Sequence, residues 1–328
     1  MTEEELLEYI EKNKWKNRFL TIVSDWRLYL MLLPLILVFI FWKYMPMYGL
    51  LIAFKDFNAV DGVTNSPFVG LYHFHDLMFG GNSASFWRAF RNTFLLSFYG
   101  LLFGFPVPII LALFFSEIKN NVLRGALQIF TYLPKFISTV VTTTLVTLLL
   151  KRGNEQFAPG VLTQVLQFFG DTHATVLTDP KCFRAVYHIS GIWEGSGYGS
   201  IVYFAAIMGI SPTNYEAARI DGANKMAQIR YVTLPGMAST LVIMLILRIG
   251  SLLEVGYEKI ILLQEGVGGG SSLYETAEVL STFSYRLGLG GGQPELAAAS
   301  DFFNAIIAML LVIGSNMISR RVSSTSLY

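Results

Sequence analysis

Between two long apolar segments the chain reads YEAARIDGANKMAQIRYVTLP, from Tyr215 to Pro235. The small, helix-favouring residues from Glu216 to Ala223 predict a short helix. Gly222 is expected to end or turn that helix, and Pro235 limits the extension of the next apolar run. A helix, a turn and a second helix between two membrane spans would form a rigid knob at the membrane surface. This pattern is typical of a docking element and not of a catalytic site.

Composition indicates a membrane protein. Of the 328 residues, 53% are hydrophobic and 14% are charged, with a mean hydropathy of +0.50. Soluble domains carry about 25% charged residues. The net charge of +1 gives no indication of nucleic-acid binding, and a single cysteine, Cys182, excludes an internal disulfide. The N-terminal segment lacks the apolar stretch of a secretory signal peptide, so we expect it to stay on the protein.

Six apolar stretches are long enough to cross a bilayer as helices, each of which needs about 20 residues. Charged residues interrupt the third and the fifth stretch. Pro106 and Pro108 predict a kink in the second, which a membrane helix tolerates when its neighbours satisfy the freed backbone groups. We expect spans near 28–48, 92–115, 126–150, 186–209, 236–263 and 299–318.

Short segments rich in Lys and Arg lie on one side of these expected spans. They precede the first span, connect the second to the third, recur in the docking element and follow the last span. Because cytoplasmic loops carry an excess of these residues, the bias favours a cytoplasmic location for both termini. The predicted organisation has three parts. Residues 1–27 form an N-terminal cytoplasmic segment, residues 28–318 form a membrane domain with a coupling loop at 210–235, and residues 319–328 form a cytoplasmic tail.

The segments on the opposite side are long, and loops of such length are expected to meet an external partner. Gly-rich runs at 266–272 and 288–294 predict flexible turns. Between them, the apolar spacing in Leu273–Arg286 predicts a short helix outside the core. His73 and His75 alternate in the first long loop without a third ligand, so we interpret them as surface histidines and predict no metal site.

Several runs resemble one family across most of the chain. The docking run is similar to the coupling motif of permease subunits of bacterial ABC importers, in which Glu-Ala-Ala is followed by a glycine and later by Leu-Pro. The matching positions are Glu216, Ala217, Ala218, Asp221, Gly222, Ala223, Leu234 and Pro235. Further runs resemble the carbohydrate-uptake subgroup that handles oligosaccharides from complex polysaccharides, including alginate- and lipoprotein-associated systems. They are YMPMYGLLIAFKDF from Tyr44, FPVPIILA from Phe105, YLPKFIS from Tyr132, YETAEV from Tyr274 and YRLGL from Tyr285.

This resemblance implies an all-α integral membrane protein with six transmembrane helices and the architecture of a type I ABC importer permease. The implied partners are a second homologous permease, two cytoplasmic ATPase subunits and an extracellular substrate-binding lipoprotein, in the bacterial cytoplasmic membrane. ATP and Mg²⁺ are expected on the ATPase subunits, because this chain lacks a Gly-x-x-x-x-Gly-Lys-Ser/Thr phosphate loop. The chain is therefore expected to be a transport subunit without a cofactor or an enzymatic activity of its own.

Polar residues inside apolar stretches are candidates for the substrate pathway, because exposing them to lipid is costly. Trp193 and Glu194 offer an aromatic surface and a carboxylate to a sugar ring. Glu258 lies four positions and Tyr257 three positions after Glu254, a spacing that places the three residues on one face of a helix. The full candidate set is Trp193, Glu194, Tyr198, Glu254, Tyr257, Glu258 and Asn304.

Alternatives remain for the glutamates and for the whole chain. Glu254 and Glu258 can instead pair with Arg248, Lys259 or a partner subunit and serve only helix packing. The chain itself can be a secondary transporter, although such proteins usually have more spans or an internal repeat and need no docking element. A membrane-embedded enzyme acting on glycans or lipids needs a clustered acid/base or metal arrangement, which the sequence does not show.

Overall fold

The computed structural model describes residues 24–153, 158–170, 176–253, 255–265 and 273–322. These residues are almost entirely helical and contain no strand, only one isolated bridge between Lys55 and Phe68. The predicted all-α class is confirmed. The helices are α1 (Trp26–Phe39), α2 (Gly62–Asn65), α3 (Tyr72–Phe79), α4 (Ser83–Gly104), α5 (Pro106–Glu117), α6 (Asn121–Tyr132), α7 (Thr139–Leu150), α8 (Val161–Phe168), α9 (Pro180–Met208), α10 (Pro212–Ile220), α11 (Lys225–Gln228), α12 (Leu234–Gly236), α13 (Ala238–Gly250), α14 (Tyr257–Glu265), α15 (Tyr274–Ala277), α16 (Leu280–Tyr285) and α17 (Pro294–Val322).

Tighter or wider helical turns extend some of these helices. Turns of 3-10 geometry cover Met45–Phe54 and Leu133–Phe136, and turns of π geometry cover Ile40–Tyr44, Ile229–Thr233 and Arg286–Gly290. Three parts of the predicted organisation lie outside the described residues: the N-terminal segment up to residue 23, the Gly-rich run 266–272, and the end of the tail from residue 323.

Three helical segments of the described chain are long and apolar enough to cross a membrane: Trp26–Phe54, Ser83–Glu117 and Pro294–Met317. They correspond to the first, second and sixth predicted spans. In the second, α4 gives way to α5 at Phe105, directly before the two prolines that predicted a kink. Two bent helix pairs raise the possible number to five: Asn121–Phe136 with Thr139–Leu150, bent by 99°, and Lys225–Gly236 with Ala238–Gly250, bent by 66°.

The fourth predicted span corresponds to α9, which has 29 residues but is less apolar than those segments. Much of α9 contacts protein, because α4, α5, α6 and α15 pack against it. Gly197 permits one of these approaches, since a Cβ atom there would overlap the backbone carbonyl of Thr131 on α6. A helix that borders other helices and a cavity tolerates polar residues that a lipid-facing helix would not.

The segment from Leu273 to Arg286 is buried, so the prediction that it lies outside the core is wrong. It forms the two short helices α15 and α16, and Ala277, Val279 and Phe283 have no exposed surface. Phe283 packs in a cluster with residues of α3, α4 and α17. Local apolar spacing predicted the helical turns but not which surface would cover them.

Glu278, between those helices, anchors the segment. Its carboxylate is 2% exposed and accepts hydrogen bonds from Arg88 Nη2 at 2.8 Å and from Arg286 Nε at 3.0 Å. Asn92 Nδ2 donates to the Glu278 carbonyl oxygen at 3.0 Å, and Asn92 Oδ1 accepts from Arg184 Nη2 at 3.0 Å. A buried carboxylate needs such partners, because an isolated charge away from water is costly.

His73 and His75, which are two positions apart, lie on helix α3 and not on a strand. His73 is buried, and its Nε2 lies 3.0 Å from the Lys55 carbonyl oxygen, so the interpretation as a surface residue is wrong for His73. His75 is exposed. Among the described residues no group of three or more metal-binding side chains occurs.

Candidate functional site

The docking element, residues 210–235, turns at a glycine as predicted. Its helix α10 begins at Pro212, whose missing N–H suits the first turn of a helix. At the other end Gly222 has a φ of +79°, Ala223 N donates to Ala218 O at 2.9 Å, and Gly222 N donates to Arg219 O at 3.0 Å. These bonds form a Schellman cap, whose left-handed residue is usually glycine because a side chain is strained there.

Side-chain contacts fix the second half of the docking element against the first. Asn224 Oδ1 accepts from Ala227 N at 2.9 Å and caps the start of α11. The hydroxyl oxygens of Tyr215 and Thr233 lie 3.1 Å apart and connect α10 to the π turn before α12. The element is therefore a defined shape and not a loose connector.

The outer surface of the docking element is exposed and partly apolar. Ile220 and Met226 are 87% and 70% exposed. Exposed apolar side chains on a rigid support are typical of a contact surface. Among the predicted coupling residues, those that are exposed are Glu216, Ala217, Asp221, Gly222 and Pro235, and those that are partly buried are Ala218, Ala223 and Leu234. The sequence analysis did not select Ile220, although an apolar residue in a polar helix was a visible signal.

A cavity of about 590 Å³ lies among α4, α5, α9, α13 and α14, and we call it the central cavity. The lining includes glycines of α4 and α9, among them Gly100, Gly104 and Gly191. Lys135 and Arg248 line the cavity and are exposed in the single chain, so the cavity is open on that side.

The central cavity is polar and charged. The described lining includes three cations, Lys135, Arg248 and Lys259, and two carboxylates, Glu194 and Glu258. Lys259 Nζ lies 3.2 Å from Glu194 Oε2. Charged and amphipathic groups of this kind hydrogen-bond the hydroxyls of a sugar and, through the cations, any carboxylate that it carries.

Two of the predicted pathway residues, Glu194 and Glu258, line the central cavity. Trp193 does not, although it precedes Glu194 directly. Successive residues of an α-helix point about 100° apart, and the Trp193 side chain is turned outward and 48% exposed. The structure does not bring the Trp193 ring and the Glu194 carboxylate to one surface.

Three other predicted pathway residues contact the protein outside the cavity lining. The Tyr198 ring packs edge-on against Phe136 with ring centroids 5.9 Å apart. The Tyr257 ring stacks on Tyr285 at 5.6 Å. Asn304 Nδ2 donates to the Leu253 carbonyl oxygen at 3.4 Å. Each contact favours a packing role.

The fifth predicted span is not a continuous helix. Helix α13 ends at Gly250 and α14 begins at Tyr257, with Gly256 between them. Helical spacing therefore cannot place Glu254 on a common face with Glu258, and Glu254 lies outside the described residues. Lys259, which the sequence analysis paired with Glu254 or Glu258, instead pairs with Glu194 of α9.

The sequence analysis missed the cations and the histidine of the central cavity. Lys135, Arg248 and Lys259 were considered as interruptions of spans or as partners for glutamates, and His188 was not considered. The available signal was their position inside apolar stretches, where a charged side chain usually faces protein or water. Which of them would share a cavity depended on the break in the fifth span, which no local pattern revealed.

Comparison with known proteins identifies the family to which this chain belongs. The family model described as "Binding-protein-dependent transport system inner membrane component" matches residues 104–323. Among curated proteins, the polygalacturonan/rhamnogalacturonan transport system permease protein YteP of Bacillus subtilis (strain 168) is 34% identical over 318 residues, which are 97% of this chain and 95% of YteP.

Two solved structures are also similar over nearly the full chain. One is a crystal structure of a bacterial ABC transporter involved in the import of the acidic polysaccharide alginate: 41% identity, a TM-score of 0.81, and coverage of 94% of this chain and 99% of that one. The other is a bacterial alginate ABC transporter in complex with its alginate pentasaccharide-bound periplasmic protein: 41% identity, a TM-score of 0.82, and coverage of 96% and 100%.

The match to the family model covers more than half of the chain, and the identity to YteP extends over almost all of it. The several apolar helices agree with a component that crosses the membrane more than once. This chain belongs to the family of binding-protein-dependent transport system inner membrane components, the permeases of ABC transporters.

Proposed function

We propose that this chain is the membrane-spanning permease subunit of an ABC importer that moves oligosaccharides delivered by an extracellular binding protein. Its relatives are named for polygalacturonan/rhamnogalacturonan transport and for import of the acidic polysaccharide alginate. The structural observation that carries the proposal is the docking element, a rigid helix-turn-helix with exposed Ile220 and Met226, present in the same chain as a polar cavity. A contact surface and a pathway are the two parts that a permease needs.

ATP binding and hydrolysis occur on separate subunits in this proposal. The docking element contacts a groove of a cytoplasmic ATPase through Glu216, Ala217, Ala218, Asp221, Gly222, Ala223, Leu234 and Pro235. Approach of two ATPase subunits then moves two docking elements, one from this chain and one from a second homologous permease. Because each docking element is rigid, its movement shifts the helices that follow it and opens the cavity to the loaded binding protein.

The proposal also fixes the orientation of the chain. The docking element lies on the cytoplasmic side, where ATP is available, and both termini lie on that side. The segment anchored by Glu278 then lies on the outer side, together with α2 and α3. A reporter enzyme that is active only in the cytoplasm, fused after residue 328, is expected to be active. Activity of an exported reporter at the same position would contradict this orientation.

Reconstitution tests the function. The chain is assembled in liposomes with the neighbouring permease, the ATPase and the binding protein, and ATP hydrolysis is measured with a panel of oligosaccharides. We expect stimulation by one loaded binding protein. Failure of this chain to assemble with any ATPase would overturn the proposal.

A pair of matched variants tests the role of the docking element. Glu216→Lys reverses an exposed charge of the coupling motif, and we expect it to abolish stimulated ATP hydrolysis and uptake while membrane insertion is kept. Asn214→Lys places the same charge on α10 at an exposed position outside the motif and serves as the control. Equal activity of the two variants would exclude Glu216 from the contact with the ATPase.

A further inference from the structure

One ion pair in the lining of the central cavity joins two of its helices. Lys259 on α14 and Glu194 on α9 lie with Nζ and Oε2 3.2 Å apart, and their side chains are 12% and 14% exposed. The Lys259 ammonium also lies 5.6 Å from the centroid of the Tyr187 ring. The ammonium also lies near Gly191, 3.7 Å from the position that a Cβ atom would take there, which is an ordinary contact distance. It is thus held on the surface of α9 by a carboxylate and an aromatic ring.

Among the described lining residues, cations outnumber carboxylates by three to two. Lys135 and Arg248 form no ion pair with any described residue, whereas Glu194 is already engaged. Arg248 Nη2 lies beside α4, 3.9 Å and 4.0 Å from the positions that Cβ atoms at Gly100 and Gly104 would take. His188 Nε2, in the same lining, is buried and has no described partner. The cavity therefore offers unmatched hydrogen-bond donors to an incoming anion.

We propose that Glu194 is an exchangeable counter-ion of Lys259, which a carboxylate of the transported sugar replaces. This inference rests on the proposed function and adds to it the chemical class of the cargo, an oligosaccharide that carries carboxylates. Breaking a largely buried ion pair leaves an uncompensated charge, which is strongly unfavourable. A sugar carboxylate compensates Lys259 as Glu194 leaves, whereas a neutral sugar does not.

The displaced Glu194 carboxylate remains in a lining that holds two further cations, Lys135 and Arg248. Exchange therefore moves one negative charge within the cavity and keeps Lys259 paired with a carboxylate. The pair is not the sole link between α9 and α14, because Phe183 and Val186 of α9 belong to the same apolar cluster as Ile260 and Leu263 of α14. Exchange therefore changes the partner of Lys259 without separating the two helices, and binding depends on the charge of the cargo.

The direct test measures binding to the assembled transporter without its binding protein, so that the specificity of the binding protein does not enter. The probes are a galacturonic-acid pentasaccharide and its carboxyl-reduced, neutral counterpart. For the wild type we expect tighter binding of the carboxylated probe. Glu194→Gln removes the competing anion, and we expect about tenfold tighter binding of that probe with no change for the neutral one.

Two further variants make the result specific to the pair. Glu258→Gln removes a carboxylate from the same lining that has no ion-pair partner among the described residues, and its effect is expected to stay below about threefold. The double variant Glu194→Gln/Lys259→Gln keeps a neutral hydrogen-bonding pair and is expected to lose the roughly tenfold gain of Glu194→Gln, because Lys135 and Arg248 alone then attract the carboxylated probe. Equal effects of Glu194→Gln and Glu258→Gln, or a double variant that binds the carboxylated probe as tightly as Glu194→Gln, would overturn the exchange.

The stimulated ATP hydrolysis of each assembly is measured in parallel. An active wild type that binds both probes equally, or binds neither, overturns the exchange and leaves the importer function in place. A wild type that no loaded binding protein stimulates counts against the importer function itself. Stimulated hydrolysis in the double variant shows that it is folded and assembled.

Discussion

Lys225 Nζ lies 2.6 Å from Glu117 Oε2, and this ion pair joins the second half of the docking element to the last residue of α5. The start of α5 contributes Pro108 to the lining of the central cavity. A contact made at the docking element thus reaches, through one helix, the wall of the predicted pathway. Both side chains are substantially exposed, so the pair adds little to stability, and we expect any effect of the pair to appear in coupling.

Reversal of either charge in this pair is expected to weaken coupling. Lys225→Glu or Glu117→Lys alone places like charges side by side, and we expect at least about a threefold loss of stimulated ATP hydrolysis with less than about 1 kcal/mol change in stability. The double reversal restores the attraction and should recover most of the activity. A double variant as inactive as the worse single variant would contradict the link. Because the pair is exposed, the loss in the single variants should shrink at high salt.

Gly222→Ala is expected to loosen the turn of the docking element. The φ of +79° at this position is strained for any residue with a Cβ atom, at about 1 kcal/mol, although no other atom lies within 4 Å of a Cβ there. Hydrogen exchange of the Ala223 amide, which bonds to Ala218, should become about fivefold faster. Gly222→Asn is the matched control, since asparagine adopts this conformation more readily than alanine. Equal protection of Gly222→Ala and the wild type would contradict the assigned cap.

Variants of the cluster around Glu278 should follow a defined order of stability. Arg88→Met/Arg286→Met leaves a carboxylate that is 2% exposed without its two cations, and we expect a loss of about 3–5 kcal/mol. Either single variant leaves one cation and should lose less. Glu278→Gln removes the buried charge and leaves two arginines that reach water, so its loss should be the smallest. Thermal unfolding of the solubilised assembly measures the order, and Glu278→Gln as the most damaging change would contradict it.

Substitution of two glycines of α9 that lie two residues apart should have different effects on the stability of the protein. Gly197→Ala forces a methyl group into the backbone of Thr131, and we expect a loss of about 1–3 kcal/mol as α6 is pushed away. Gly195→Ala meets no atom within 4 Å and should be neutral or slightly stabilising, because alanine favours the helix. The unfolding temperatures of the two variants provide the comparison. A Gly197→Ala variant as stable as Gly195→Ala would show that α6 and α9 do not pack as closely as described.

The sequence predicted features that depend on sustained or strictly local patterns. The apolar stretches that become Trp26–Phe54, Ser83–Glu117 and Pro294–Met317 follow from hydropathy alone, and the turn at Gly222 follows from the conformational freedom of glycine. The docking motif, and each run that carries the family resemblance, is likewise contained in a short stretch of sequence. These features do not need information about neighbouring elements.

Features that depend on distant partners were not predictable in this way. Arg88 and Glu278 are 190 positions apart, and nothing in the local spacing around Glu278 indicates that an arginine of α4 covers it. The break between Gly250 and Tyr257 separates residues that a regular helix would have aligned, and so the cations of the central cavity were missed. In a membrane protein, a buried polar segment and an external amphipathic one have similar composition, which explains the error for Leu273–Arg286.

The open side of the central cavity has a consequence for synthesis of the protein. A chain inserted alone would leave Lys135 and Arg248 uncovered, and a charge exposed to lipid at the middle of a bilayer costs about 2.5–3.5 kcal/mol. Association with the proposed second permease removes this penalty and stabilises the fold by mass action. Unassembled copies would then be the preferred targets of membrane proteases, and the cellular amount of this chain would follow the amount of its counterpart.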